Sequence, residues 1–462
     1  MGAEETFSRS DLESIKMLVE PSRVSFGESV LDLHSKDESF HKACRPHVVV
    51  WPLTAQEINK ILVFANEKKI PVTPWGAGTS LEGNPIPIEG GIVLDMQQMN
   101  RIIEIREKDL QAVVQPGVIY KDLNKRLGDY GLFFPPDPGA AATIGGMVAN
   151  NASGIRTVRY GSTRDLVLRL EVVLPTGEII RTGSNAIKSS AGYDLTRIFV
   201  GSEGTLGVIT EVTLRLFGVL EGCIVAIAAF NSVREATEAV TQIMQAGLSV
   251  AGLELLDTET IRAINSDKKL TLDEKPTLFI EFHGTSNDTL KVELEFVKEI
   301  CSYNNCLNFN AGIDREERNR LWEARHGAHE SIKRANPGFS LLMVDTAVPI
   351  SKYSDMVEFS RKKLEECQLR GYIYGHAGSG NLHLDIVGNP EDEQLWELIQ
   401  RANEAIVYNA IALGGTATGE HGIGIGKRKF MRREHGESVE LMKKIKKLLD
   451  PNGIMNPGKI FE

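Results

Sequence analysis

Residues 71–83 read PVTPWGAGTSLEG, and no other stretch limits the fold of this chain as tightly. A helix is predicted just before it, over residues 55–69, with apolar side chains at Ile58, Ile61, Leu62 and Ala65. The closely set prolines and glycines that follow predict a loop, not a helix start. Gly76 and Gly78 let backbone N–H groups converge where side chains would intrude, and Thr79 and Ser80 add hydroxyl donors. A concave nest of this kind suits a phosphate or pyrophosphate. No Lys or Arg lies between Ile70 and Asn100, so backbone dipoles would have to hold the anion. A nucleotide-hydrolysing P-loop needs its lysine and is excluded. The spacing G-x-G-x-x-x-x-G, with no helix opening from it, also fails the dinucleotide fingerprint. Taken alone, the stretch reads more simply as a tight surface turn.

Two further glycine-rich pieces change that balance. Residues 134–161, FPPDPGAAATIGGMVANNASGIRTVRYG, look too rich in Gly, Ala, Asn and Ser for a packed element and too long for a structureless connection. Ile144, Met147, Val148 and Ile155 argue against disorder. A wall of small residues lets a flat ring system approach the backbone, although a buried glycine-rich crossover fits the composition equally. Residues 201–210, GSEGTLGVIT, form a glycine-punctuated turn feeding a strand.

At 462 residues the chain exceeds one typical core, so two or three domains are expected. Strands are predicted over residues 47–51, 91–95, 111–114, 168–174, 179–182 and 208–216, with helices at 55–69 and 120–130 between them, an α+β pattern. From residue 221 the texture changes. Strands at 223–230, 250–256 and 277–283 alternate with helices at 231–246 and 290–301, which predicts a second α+β domain. A helix over 394–413 and a last one ending at Leu449 complete the reading.

The formal net charge of −10 makes a nucleic-acid groove a poor fit. Five cysteines, odd in number and without metal spacing, read as free thiols in a reducing compartment, here the cytoplasm. The N-terminus shows no basic start followed by an apolar core, so no secretory signal is expected. The longest apolar run, residues 223–230, falls far short of the ~20 residues a membrane span requires.

Histidines enter glycine-rich settings near the end of the chain. His376 and His383 lie in YGHAGSGNLH, where Gly378, Ser379 and Gly380 can fold a strand back so that both imidazoles face one point. Glu420 and His421 lie in TGEHGIG. Two imidazoles and one carboxylate make a three-ligand set that suits zinc or another divalent ion with an open position.

WGAGTSLEG, PDPGAAATIGGMVANNASG with RYG, and GSEGTLGVIT together resemble the FAD-binding domain of the vanillyl-alcohol oxidase (p-cresol methylhydroxylase, PCMH-type) flavoproteins. GHAGSGNLHLD, GEHGIGIGK, WEARH, DTAVPIS and the closing NPGK resemble the cap domain of the FAD-linked D-2-hydroxy-acid dehydrogenase group, the D-lactate dehydrogenase and glycolate oxidase D subunit branches above all. Ser379 stands where many members carry Asp. The resemblance implies an N-terminal helical segment over residues 1–44 and a PCMH-type FAD-binding domain over 45–218. It implies an α+β cap over 219–415, with residues 416–462 returning to the FAD domain.

The resemblance also implies non-covalent FAD, since residues 71–91 hold no His or Cys. Its contacts would be Pro74, Gly76, Ala77, Gly78, Thr79, Ser80, Pro138, Gly139, Thr143, Gly145, Gly146, Asn150, Ser153, Gly154, Tyr160, Gly161, Glu203, Gly204, Gly207, Ile209 and Asn456. His376, His383 and Glu420 would hold a divalent metal, zinc first. His421 would be the base, and Arg325 would pair the substrate carboxylate through its planar fork. By composition alone Arg325, set in a heavily charged run, reads as a surface ion pair. His326 and His329 read as structural, and Lys427 as a residue of the return turn near an anionic substrate. The implied reaction oxidises a small anionic D-2-hydroxy acid and passes electrons to an acceptor or partner electron-transfer subunit. A non-catalytic flavin relay, an oxidase of another alcohol, and a homodimeric assembly stay open.

Overall fold

The computed structural model describes residues 8–312 and 315–461. The chain divides into two compact units. The first holds Met1–Ser153, Gly161–Val219 and Glu420–Glu462; the second holds Gly154–Tyr160 and Leu220–Gly419. The sequence predicts residues 154–160 within the first domain, 45–218, and a C-terminal segment beginning at residue 416. The structure assigns the short segment to the second unit and starts the return at Glu420.

In the first unit a small sheet takes the order β1(Val24–Ser25), β2(Val48–Val50), then β4(Ile92–Asp95) and β3(Val72–Trp75), the last two parallel. The helix Ala55–Lys68 covers it, capped by the Thr54 side chain, which accepts from the Glu57 amide. Its apolar positions Ile58, Ile61, Leu62 and Ala65 are fully buried among Val48, Val50, Ile92 and Leu94. A second sheet runs β5(Ile102–Arg106), β6(Gln111–Val114), β10(Val208–Arg215), β8(Val167–Val173) and β9(Ile179–Gly183), all antiparallel. A two-stranded ribbon pairs β7(Leu132–Phe133) with β11(Phe217–Gly218).

Two expectations about loops are corrected here. Residues 72–75 are the strand β3, at the sheet edge, where Pro74 with no N–H to donate leaves the parallel ladder with β4 intact. Residues 144–150, read as too small-residue-rich to pack, form the helix Ile144–Asn150. Thr143 caps it by accepting from the Gly146 amide, and Ile144, Met147 and Val148 bury one face at helical spacing. Three apolar residues at the right period suffice for so short a helix once a cap satisfies its first donors.

The second unit is built on one seven-stranded antiparallel sheet, with helices such as Val233–Gln245 and Asn287–Tyr303 between its strands and Glu393–Ala412 after the last of them. Its strands are β12(Gly222–Ala229), β13(Val250–Leu256), β14(Thr277–Gly284), β15(Asn308–Gly312), β16(Ser340–Ala347), β17(Gly371–Gly375) and β18(Asn381–Gly388), in the order β15-β12-β14-β13-β17-β18-β16. The segment Gly154–Tyr160 joins this unit through Ile155 in its core, Arg156 on Glu281 at 3.3 Å and the Tyr160 hydroxyl 2.9 Å from His283 Nδ1. Among the described residues no helix is long and apolar enough to cross a membrane.

Candidate active site

The first unit contains a cleft of about 1240 Å³, its open mouth included. Residues 74–81 line one wall; Thr143, Gly145, Gly146 and Asn150 of the capped helix line another. Gly204, Gly207 and Ile209 form the approach to β10. Close approach requires glycine at two of these places. A Cβ on Gly76 would stand 2.6 Å from Thr143 Oγ1, and one on Gly145 would stand 2.6 Å from Pro116 Cβ. No Lys or Arg lines the cleft, so its polarity toward an anion comes from backbone N–H groups and from Thr79, Ser80 and Thr143. A cradle of small residues with converging amides fits a dinucleotide bearing a flat ring.

Glu420 and His421 also line this cleft. The loop that carries them is pinned from below by Glu203, a buried carboxylate in the left-handed region at φ +52. Glu203 accepts from the Ile423 amide at 2.6 Å, the Gly424 amide at 2.8 Å and Asn84 Nδ2 at 2.7 Å. Burial raises its pKa, and those three donors work against the rise. Asn456 donates to the Asn84 and Glu203 carbonyls, closing the floor. Ser153 Oγ donates to Glu420 Oε2 at 2.9 Å, which orients that carboxylate.

The second unit gathers the other predicted residues. The turn Ala377–Ser379 joins β17 to β18, with Tyr374 opposite His383, and sets the His376 and His383 rings 5.1 Å apart, edge to face. Both are nearly buried. His376 Nδ1 lies 2.9 Å from both oxygens of Glu254, which is completely buried in β13. Glu254 Oε2 also accepts from Arg325 Nε at 2.9 Å and Nη2 at 2.5 Å. Burial alone would raise the Glu254 pKa; His376 and Arg325 overcome it and hold the carboxyl below its usual range. The Arg325 guanidinium sits 5.4 Å over the Tyr374 ring. Beside His383, Asp345 Oδ1 stands 3.6 Å from Nδ1, while Asp345 Oδ2 accepts from the Gly419 amide at 2.8 Å and from Thr418 Oγ1 at 2.7 Å. Glu420 is the next residue along the chain from that anchored Gly419.

Of the anticipated FAD contacts, Pro74, Gly76, Ala77, Gly78, Thr79, Ser80, Pro138, Thr143, Gly145, Gly146, Asn150, Glu203, Gly204, Gly207, Ile209 and Asn456 line the cleft. Gly139, Ser153, Gly154, Tyr160 and Gly161 do not; Tyr160 is spent on His283, and Ser153 on Glu420. Trp75, Asn84 and Met147 also line it, though not among the anticipated contacts. Arg325 is not a surface ion pair, being only 5 % exposed. Lys427 is buried with its Nζ 3.1 Å from Glu82 Oε1, so its charge is already matched. His326 Nδ1 contacts the Trp322 carbonyl and His329 Nδ1 contacts Asp385, both internal. Glu254 escaped sequence reasoning, although a lone carboxylate inside the apolar run VAGLELL was there to be noticed.

A cation-free cleft of small residues, with a carboxylate and an imidazole on its wall, suits a flat-ringed dinucleotide cofactor beside reactive side chains. Residues 46–183 match the family described as an FAD binding domain, and residues 223–460 match the C-terminal domain of FAD linked oxidases. The chain is 43% identical over 431 residues to a protein named D-lactate dehydrogenase [cytochrome], mitochondrial, of Arabidopsis thaliana, covering 93% of this chain and 76% of that one. It is 38% identical to the glycolate oxidase subunit GlcD of Bacillus subtilis, covering 93% and 92%. The fold is similar to that of 4-ethylphenol oxidase from Gulosibacter chungangensis, with a TM-score of 0.80 at 17% identity over 97% of this chain and 96% of the other. The chain therefore belongs to the FAD-linked D-2-hydroxy-acid dehydrogenase family, and it is an FAD-linked oxidoreductase acting on a hydroxy acid.

Proposed function

We propose that the protein oxidises a small D-2-hydroxy acid, D-lactate or glycolate, to the 2-oxo acid with the help of a divalent cation, zinc first. The observation that carries this reading is the pairing of Glu420 and His421 on the wall of the FAD cleft, with His376 and His383 edge to face in the second unit. Two imidazoles and a carboxylate are a donor set for a divalent ion with an open position, so His376, His383 and Glu420 are the proposed ligands. Bound FAD would supply the acceptor for the hydride on the substrate Cα, and a bound cation would favour loss of the hydroxyl proton. His421 receives that proton. Arg325 offers the substrate carboxylate the guanidinium edge that Glu254 does not occupy. FAD is held non-covalently, because residues 71–91 offer no His or Cys to form a link.

Electrons then leave to an acceptor or partner subunit. The relative named as a subunit of glycolate oxidase supports a second reading, a flavin relay inside a multi-subunit complex. Free thiols at all five cysteines fit a reducing compartment, which we place in the cytoplasm; cell fractionation tests that placement.

The deciding experiment is anaerobic mixing of the purified yellow protein with 2-hydroxy acids of graded length, with zinc present. Bleaching of the flavin by D-lactate or glycolate, lost in His421→Ala, is the expected result. An intact flavin spectrum across the whole panel overturns the proposal, and bleaching that survives His421→Ala removes the histidine from it.

A further inference from the structure

We propose that Glu254 is a positioning residue that sets the cation ligand His376 and the anion-binding Arg325 from one buried carboxylate. The inference rests on the reading of His376 and Arg325 given above and extends it to a residue that touches neither cation nor substrate. Glu254 is the only ionisable side chain in β13, whose seven residues are all buried. An ionised carboxylate in such a place costs several kcal/mol unless it is fully paired. Two groups, both drawn from the site, pair it: His376 Nδ1 through both oxygens, and Arg325 through Nε and Nη2.

Two consequences follow from donor and acceptor chemistry. An ionised carboxylate only accepts, so the proton of a neutral His376 must sit on Nδ1, and Nε2 keeps the lone pair that a cation needs. A histidine ligand fixed in this way is oriented before the ion arrives. On the other side, Glu254 occupies the Nε–Nη2 edge of the guanidinium and leaves the Nη1–Nη2 edge as the one fork available to a carboxylate. The Tyr374 ring beneath the guanidinium keeps that fork in plane, and the Tyr374 hydroxyl is itself anchored on Asp385 Oδ2 at 3.0 Å. One side chain thus sets which nitrogen meets the cation and which edge meets the substrate.

The test uses the full-length FAD-loaded protein, stripped with a chelator and titrated with Zn²⁺. Glu254→Gln keeps the shape but replaces an acceptor-only group with an amide that also donates. It should weaken Zn²⁺ affinity ten- to a hundredfold and raise KM for the 2-hydroxy acid by about tenfold, with FAD content unchanged. Glu254→Asp, which keeps the charge on a shorter stem, should recover part of both. Zn²⁺ affinity and KM within threefold of wild type in Glu254→Gln overturn the proposal. A wild-type protein that takes up no Zn²⁺ overturns the reading of the cation site instead, so the two failures are distinguishable. Long-range proton–nitrogen NMR of the stripped wild-type protein needs no folded Glu254 variant, only His376 assigned through its loss in His376→Gln. It should show His376 protonated on Nδ1, and protonation on Nε2 overturns the assignment.

Discussion

Glu203 shows how much one side chain holds in place. It adopts a left-handed conformation that costs a non-glycine residue about 1 kcal/mol, and its carboxylate is sealed from water. In return it satisfies the amides of Ile423 and Gly424 and the Asn84 side chain. Glu203→Leu should lower stability by about 2–3 kcal/mol, since two backbone amides lose their acceptor. A fall in the thermal midpoint, with partial loss of FAD as the Glu420–His421 loop loosens, checks this. His41 makes a second prediction at this scale. Burial, and then the charges of Arg428 and Lys459, push its imidazole down to about 4. In the unfolded chain an imidazole titrates at about 6.5. Between these values the unfolded chain binds the extra proton, so stability rises with pH across that window and is lost as pH falls through it. From pH 7 to about 4.5 the wild type should lose about 2 kcal/mol more than His41→Asn, read from urea midpoints at each pH.

Among the elements, the β17–β18 hairpin does most to shape the site, and glycine is what closes it. Gly380 sits at φ +74, and a Cβ there would stand 2.1 Å from the Val348 carbonyl oxygen. Gly380→Ala should therefore shift the turn that sets His376 and His383 side by side. The expected outcome is at least a tenfold loss of Zn²⁺ affinity with FAD content unchanged, measured by chelator competition. This hairpin was legible in the sequence because the glycines that punctuate it and the histidines it presents are neighbours along the chain. The cleft was legible for the same reason: residues 76–80, 143–150 and 203–209 are local, glycine-punctuated runs. The strand β3 was hidden by Pro74, and the helix Ile144–Asn150 by a composition typical of loops, because a cap and three buried side chains outweigh propensity in a short helix. Glu254 was hidden for another reason. Its partners lie 71 and 122 residues away, and no spacing rule reaches across a sheet whose order is set by tertiary packing.

Charge over the whole molecule makes the last prediction. The chain carries a formal −10, so an anionic substrate meets a repulsive field as it approaches. The two buried cationic side chains proposed or considered for the substrate are both matched, Arg325 by Glu254 and Lys427 by Glu82. The FAD cleft adds no Lys or Arg, and its charged lining residues Glu203 and Glu420 are acidic. Under the proposed reading, the net positive charge that draws a carboxylate would come from the divalent ion, with Arg325 contributing direction more than attraction. Removing the ion should raise KM as well as slow the chemistry, because binding and deprotonation depend on the same charge. Dialysis against a chelator is therefore expected to leave the protein yellow, to raise KM for D-lactate or glycolate by about tenfold or more, and to be reversed by added Zn²⁺. Raising the ionic strength should improve kcat/KM of the chelated protein more than that of the loaded one, since screening relieves repulsion that the ion otherwise offsets. Steady-state kinetics before and after chelation, at two salt concentrations, check both statements, and a KM indifferent to the chelator would place the attracting charge on the protein itself.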